Sequence, residues 1–339
     1  VERGRISRGT WQGFYLCDWS GVTPPQPFKI AVTLMLSDEC SVISSRFVPP
    51  SRNFHSMLST ADSLLFRGRK SDIGEGEMAG GVEDGFACVM VKHCSASMAK
   101  IEDRNATKWL ESALSIVVPD SWSGKFFSHV YEGWDDMPGH AKNALIGGPC
   151  SIVPISKSRL LVDGDEDIAL GEHRDDWGSG GRNISVTRFP GCFKGTEKIK
   201  LEIKTRENQF GFEIIPSSLK QPLPIESGIA IIKGPKSSCS IIAPESGNEE
   251  HIWETMVKQK RTSDSFLAKK WSGKRPSDCP KLFEIVRSLI FGGGRSRIVS
   301  IKDSKLWLPE QCSIYVMSTS ENGFSIDYTL ANELNWYGN

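Results

Sequence analysis

The feature that most constrains the fold is the stretch CFKGTEKIKLEIKTRENQFGFEIIP, Cys192 to Pro216. Lys198, Lys200, Glu202 and Lys204 alternate strictly with Ile199, Leu201 and Ile203. A period of two puts the charges on one face of a β-strand and the aliphatic side chains on the other. A polar turn near Arg206 to Gln209 follows, then a second run through Phe210, Phe212, Ile214 and Ile215. The pattern predicts a half-buried strand with a second strand packed beside it.

The same signal recurs along the chain. Strand-like runs occupy Gly13 to Cys17, Phe28 to Leu36, Ser41 to Phe47, Phe86 to His93, Ala113 to Val118, Gly228 to Ile232, Ser238 to Ile242, Arg297 to Ile301, Ser313 to Met317 and Phe324 to Leu330. Proline, glycine and serine clusters such as SGVTPPQP and SSLKQPLP punctuate them. Helical periodicity is confined to Asn105 to Ser112, Glu249 to Lys258 and Lys281 to Leu289. Many short strands with few helices predict an all-β protein of antiparallel sandwiches or Greek-key barrels. At 339 residues two domains are expected, 1–155 and 156–339. Their boundary falls in the polar interval Pro138 to Asn183, which reads as a linker or large surface loops.

Lys plus Arg and Asp plus Glu number 41 each, so no basic field covers the whole surface as in a dedicated nucleic-acid-binding domain. The nine cysteines are scattered without CxxC spacing, which excludes a disulfide framework or a clustered zinc site and favours a reducing compartment. No apolar run approaches the length of a membrane span, and VERGRISRGTW at the start has no apolar signal core. A chain opening on Val reads as a fragment or a piece cut from a precursor.

A catalytic reading needs a constellation, and each candidate falls short. WGSGG, Trp177 to Gly181, resembles the glycine-flanked serine of chymotrypsin-like proteases, with His173 just before it, but Gly178 stands where that family has Asp. GGPCS around Cys150 has its glycines before the cysteine rather than after it, so a packed thiol at a strand start is the simpler reading. The six histidines are dispersed singly, and His93 and Cys94 are expected to pack rather than ligate. The acidic run Asp163, Asp165, Glu166 and Asp167 lacks a calcium loop's glycine and terminal glutamate and reads as solvated loop. FGGGRSR, Phe291 to Arg297, lacks the Lys-Ser/Thr of a phosphate-binding loop. The expectation is therefore no enzyme, with no catalytic, cofactor-binding or metal residues. One charged feature stands out: Lys258, Lys260, Arg261, Lys269, Lys270, Lys274 and Arg275, with Trp271 interleaved. A basic loop carrying an aromatic can touch phosphates and stack on a base, or meet a neighbouring subunit.

The opening strand pair resembles a passage in picorna-like virus coat proteins: aromatic, Arg/Lys, Gly, an alternating strand, a polar turn with Gly, a second strand and Pro. Phe193, Lys194, Gly195, Gly211 and Pro216 fill those places. CSIYVMSTSENGFSIDYTL is similar to the closing strands of these domains, and LSIVVPDSWSG, Leu114 to Gly124, resembles a strand and loop in the large coat protein of comoviruses and their relatives. The resemblance implies two tandem jelly rolls and a structural subunit of an icosahedral capsid. Its partners would be other capsid subunits and genomic RNA on the inner face, with no membrane, and its location the virion or the host cytoplasm during assembly. The alternative is a β-rich protease with Ser179 or Cys150 as nucleophile, or a carbohydrate-binding sandwich using some of the ten tryptophans.

Overall fold

The computed structural model of the chain describes residues 41–66, 84–156, 159–162, 164–176, 180–190, 193–201, 205–206, 210–214, 223, 225–233, 239–242, 265–271, 276–292, 296–308, 314–318 and 324–332. In chain order the elements are β1 (Ser41–Phe47), β2 (Asn53–Ser56), α1 (Leu58–Phe66), β3 (Asp84–Val91), β4 (Ala96–Ile101), α2 (Thr107–Val117), α3 (Asp136–Leu145), β5 (Cys150–Ser156), β6 (Arg159–Leu160), β7 (Asp167–Glu172) and β8 (Arg182–Pro190). They continue with β9 (Phe193–Leu201), β10 (Thr205–Arg206), β11 (Phe210–Ile214), β12 (Gly228–Lys233), β13 (Cys239–Ile242), α4 (residues 265–270), α5 (Leu282–Gly292), β14 (Ser296–Lys302), β15 (Lys305–Leu306), β16 (Tyr315–Ser318) and β17 (Phe324–Asn332).

The strands pair antiparallel into sheets ordered β1-β8-β3-β5-β6, β2-β7-β4, β10-β11-β16-β13 and β15-β14-β12-β17-β9. The small β2-β7-β4 sheet is the centre of the first half. Alternation along β7 sends Ile168 and Leu170 toward Val89, Val153 and Val186 of the neighbouring sheet and Ala169 toward α2 and α5. Both faces of that sheet are therefore apolar, and all six residues of β7 are buried. On the far side, Leu110, Ala113 and Leu114 of α2 meet Leu282, Phe283, Val286 and Leu289 of α5. Their spacings of three and four residues form the stripe of a packed helix. Phe86, Ile152 and Phe189, on the opposite face of the β1-β8-β3-β5-β6 sheet, pack with Ile229 and Ile231 of β12.

Helices α2, α3 and α5 packed into sheets make this a mixed α/β structure, which corrects the all-β jelly-roll expectation. The run Ala113 to Val118, expected as a strand for its β-branched residues, is mostly the second half of α2. Burial of Leu110, Ala113 and Leu114 on one face overrides the local β preference. The interval Pro138 to Asn183, read as linker or surface loops, holds most of α3 and all of β5, β6 and β7. Its acidic run is partly internal: Glu166 and Asp167 are buried, with Lys100 Nζ 3.2 Å from Glu166 and Ser56 Oγ donating to Asp167 at 2.9 Å. Across the expected polar turn the two-residue β10 does pair with the start of β11, but the long strand β9 does not pair with β11. β9 pairs with β17, whereas β11 pairs with β10 and β16. The facing expected for Lys198, Lys200, Glu202 and Lys204 and for the aliphatics between them lies outside the described side chains, as do the strands expected before residue 41 and the helix expected over 249–258.

Candidate metal centre

Two polar clusters meet where α3 crosses the ends of β4 and β7. Gly139 makes that crossing possible: a Cβ there would stand 3.2 Å from Ser95 Cβ and 3.3 Å from Arg174 Cγ. The close approach sets His140 against Cys94, whose carbonyl also accepts from Asn143 Nδ2 at 2.8 Å. Pro138 sits in the first turn of α3, where a missing N–H costs no helical hydrogen bond.

The outer cluster is His129, Asp136 and His140. Asp136 opens α3 and His140 lies one turn on, so both project from the same face. The Asp136 carboxylate is 1% exposed and lies 3.1 Å from His129 Nε2 through Oδ2 and 3.2 Å from His140 Nε2 through Oδ1. One donor atom from each of the three residues lies within 4.8 Å of the others, while the His129 side chain keeps nearly half its surface open. Hydrogen bonding to the Cys94 side chain leads, against burial, in raising His140 to about 9, and Asp136 adds to it. A cation entering the site therefore displaces a proton from this imidazole.

The loop bearing His129 is fixed at several points. Ser123 Oγ donates to the Trp134 carbonyl at 2.6 Å, and Gly124, at φ +72°, leaves room for the Trp134 ring 2.9 Å from where a Cβ would be. Arg174 holds Glu132 through both its side chain and its carbonyl, and its guanidinium reaches Asp135 at 3.5 Å and Asp136 at 3.8 Å. Tyr131 and Trp134 are exposed on this loop, with Tyr131 edge-on to His129 at 5.3 Å between centroids. His93 stands nearby and accepts from the Ser95 amide at 3.2 Å. Burial, with Arg182 and Arg174 adding to it, depresses His93 to about 4, so this imidazole is neutral at neutral pH.

The inner cluster is sealed. Glu111 accepts from Arg52 Nε at 2.9 Å, from Lys142 Nζ at 2.7 Å and, through its second oxygen, from His173 Nδ1 at 2.7 Å. His173 Nε2 lies 2.9 Å from Ser97 Oγ. Serine, histidine and carboxylate in this order have the geometry of an activated nucleophile. Ser97 and His173 are, however, wholly buried, and even a Cβ on Gly171 would collide with Ser97 Oγ, so no substrate reaches that oxygen. This cluster ties α2, α3, β4 and the end of β7 together, and through Lys142 it anchors the helix that carries Asp136 and His140.

Sequence reasoning named none of the outer three as a set. Asp136 and His140 at i,i+4 was the legible signal, but His129 joins them only through the loop fold. Of the basic stretch, Lys269 and Lys270 are exposed on α4, and Trp271 is half-buried with its ring 6.5 Å from Trp109 and 5.7 Å from Phe283. Lys258, Lys260, Arg261, Lys274 and Arg275 lie outside the described residues, as does Ser179. Cys150 starts β5, as expected, but its side chain is exposed rather than packed.

The described structure is thus a mixed α/β protein with a His-Asp-His cradle between a helix and a braced loop. Residues 73–190 match the family model described as UPF0047 protein YjbQ-like, and these include every residue of the cradle. The Escherichia coli O157:H7 protein named UPF0047 protein YjbQ is 34% identical over 108 residues, covering 31% of this chain and 74% of the relative. The Salmonella typhimurium YjbQ protein is 35% identical over 95 residues, 27% of this chain and 66% of that protein. The chain belongs to the UPF0047 YjbQ family. Among solved structures it is similar to a hypothetical protein from Aeropyrum pernix, at TM-score 0.34 and 17% identity, covering 45% of this chain and 99% of that one. A YbjQ-like protein of unknown function from Sulfolobus solfataricus has TM-score 0.34 and 15% identity over 44% of this chain and 94% of that one.

Membership of this family corrects the viral reading in each of its parts: capsid subunit, coat-protein and genome partners, and location in the virion. The protease and carbohydrate-binding alternatives likewise find no support in the family. The coat-protein resemblance rested on alternation and turn placement, which any antiparallel sheet shares. Among the described residues no helix is long and apolar enough to cross a membrane.

Proposed function

We propose that His129, Asp136 and His140 hold a divalent transition-metal ion, zinc first among them, and that the protein is an enzyme using the ion's open positions to polarise a water or a substrate oxygen. The observation that carries this reading is the convergence of two imidazoles on one buried carboxylate at the surface. The imidazoles meet different oxygens of Asp136, and one donor atom from each residue lies within 4.8 Å of the others; reaching the ~3.4 Å between neighbouring ligands in a tetrahedron of ~2.0–2.2 Å bonds takes about 1 Å of side-chain movement. Two imidazoles and a carboxylate suit zinc, iron and cobalt, and three protein ligands leave positions for water or substrate. The Glu132 amide donates to Asp136 Oδ2 at 3.4 Å and helps fix the carboxylate, while the Arg174 guanidinium lies 3.8 Å from Oδ1. Tyr131 and Trp134 offer an aromatic rim for the substrate.

Cobalt(II) titration of the chelator-treated protein tests this. One ion should bind per chain with the visible absorption of a low-coordinate site, and Asp136→Asn and His140→Ala should each weaken binding at least ~100-fold while His55→Ala does not. Stoichiometric binding unchanged in Asp136→Asn and His140→Ala, or no binding by the wild type, would exclude the site.

A further inference from the structure

A second chemically reactive place lies on the β12-facing side of the β1-β8-β3-β5-β6 sheet, beside Ile152, where β5 begins. β3 and β5 pair with Cys88 opposite Ile152 and Met90 opposite Cys150, so Cys88 and Cys150 share a face as diagonal neighbours. Their sulfurs are 3.1 Å apart. A disulfide bond is ~2.05 Å long, so about 1 Å of approach closes it. Cys150 is exposed at the first position of β5 and Cys88 is partly covered behind it. Gly147 and Gly148, both at positive φ, and Pro149 lead into Cys150 through a turn held by backbone hydrogen bonds to Asn143, Met98 and Val91, so the approach of the sulfurs falls to the side chains.

We propose that Cys150 and Cys88 form a thiol–disulfide exchange site, with Cys150 the attacking and Cys88 the resolving sulfur, acting on low-molecular-weight disulfides of the glutathione class. Cys150 is the sulfur open to solvent and to a small disulfide, and the hydrogen bond the two sulfurs share favours a single thiolate, with Cys150 lowered and Cys88 raised well above the ordinary thiol range. The Cys150 thiolate attacks one sulfur of glutathione disulfide, forming a mixed disulfide and releasing one glutathione thiolate. Cys88 then loses its proton to solvent and attacks the Cys150 sulfur, expelling the second glutathione. In total the protein loses two protons and two electrons, and the small disulfide is reduced to two thiols. Diagonal sheet neighbours have Cα atoms ~7–8 Å apart, beyond the ~4.4–6.8 Å of relaxed disulfides. The closed bridge therefore pulls the strands together and is readily reduced, as a reversible modification and not a permanent staple. It would tie the chain leaving α3 to the strand that leads to His93 and Cys94.

The test is peptide mass mapping of the intact chain after incubation with glutathione disulfide and alkylation. The wild type should lose two hydrogens and yield a Cys88–Cys150 cross-linked peptide, and reduced glutathione in excess should reverse it. Cys279, buried with its thiol pushed up to about 12 by desolvation, is the internal control and should stay unreacted. Cys88→Ser should stop at the mixed disulfide on Cys150, and Cys150→Ser should slow modification of Cys88 at least ~10-fold. A wild-type map in which both cysteines stay free, or in which either pairs instead with another cysteine, overturns the proposal; so does a Cys88→Ser protein in which Cys150 carries no glutathione. The wild-type map decides even where a serine variant fails to fold.

Discussion

Replacing Glu111 by glutamine tests how the buried charge network holds the fold. Glu111 is 5% exposed and takes hydrogen bonds from Arg52, Lys142 and His173. Burial alone would raise its carboxyl, but the attraction and hydrogen bonds of His173 and then Lys142 prevail and hold it at about 2, against an ordinary 4.5. Because the folded value is the lower one, the unfolded chain takes up the proton first as the solution is acidified. The stabilisation is therefore complete above about 4.5 and is lost progressively as pH falls toward 2. At ~1.4 kcal/mol per pH unit that separation amounts to ~3 kcal/mol. Glu111→Gln keeps the shape but leaves Lys142, which is 0% exposed, with no anion bound to its ammonium group among the described residues. Breaking a buried ion pair from one side costs ~3–5 kcal/mol. Urea unfolding followed by tryptophan fluorescence should show a loss of that size at pH 7, and the variant's stability should fall less steeply than the wild type's between pH 4.5 and 3. A Glu111→Leu, Lys142→Met double variant should recover part of the loss, because apolar replacement of both partners removes the stranded charge. A Glu111→Gln protein within ~1 kcal/mol of wild type at pH 7 that keeps the full acid slope would refute the reasoning.

Gly171→Ala should destabilise by ~1–3 kcal/mol through overpacking, since its Cβ would meet Ser97 Oγ and stand 2.8 Å from His173 Cε1 and 2.9 Å from Phe54 Cε1; denaturation midpoints measure it. Ser304→Gly should raise stability by ~0.5–1 kcal/mol, read as a higher thermal midpoint, because Asp303 and Ser304 both turn the β14–β15 hairpin at positive φ, 53° and 56°. The backbone bonds of Ser304 to Leu223 and Glu226 do not depend on its side chain.

Much of the strand inventory was legible because alternation is a local property. β1, β12, β14 and β17 lie where period-two runs and turn residues put them, and α5 lies where the 3.6-residue stripe put it. The failures share one cause. β7 is flanked by an acidic loop and contains charged residues of its own, yet it is the most buried strand of the first half because Glu172 finds Arg182 at 2.6 Å and Asp167 finds Ser56. The second half of α2 resembles a strand until Leu110, Ala113 and Leu114 meet α5 from the other end of the chain. Of the opening stretch, only Thr205 and Arg206 pair across the turn with Phe210 and Gly211; the long strand before them pairs with β17, and β11 pairs along its length with β16.

By itself the sequence determined the period of each well-patterned segment, the neutral net charge and the supply of unclustered cysteines and histidines. Those are set by residues a few positions apart or by simple counting. Only the tertiary structure decided that Glu111, Lys142 and His173 are internal, that His129 meets Asp136 and His140, and that Cys88 faces Cys150. The physical reason is that a charged or nucleophilic group takes its character from its partners and its exposure to water. Here those partners lie on other elements, 62 residues away for His173 from Glu111 and for Cys150 from Cys88.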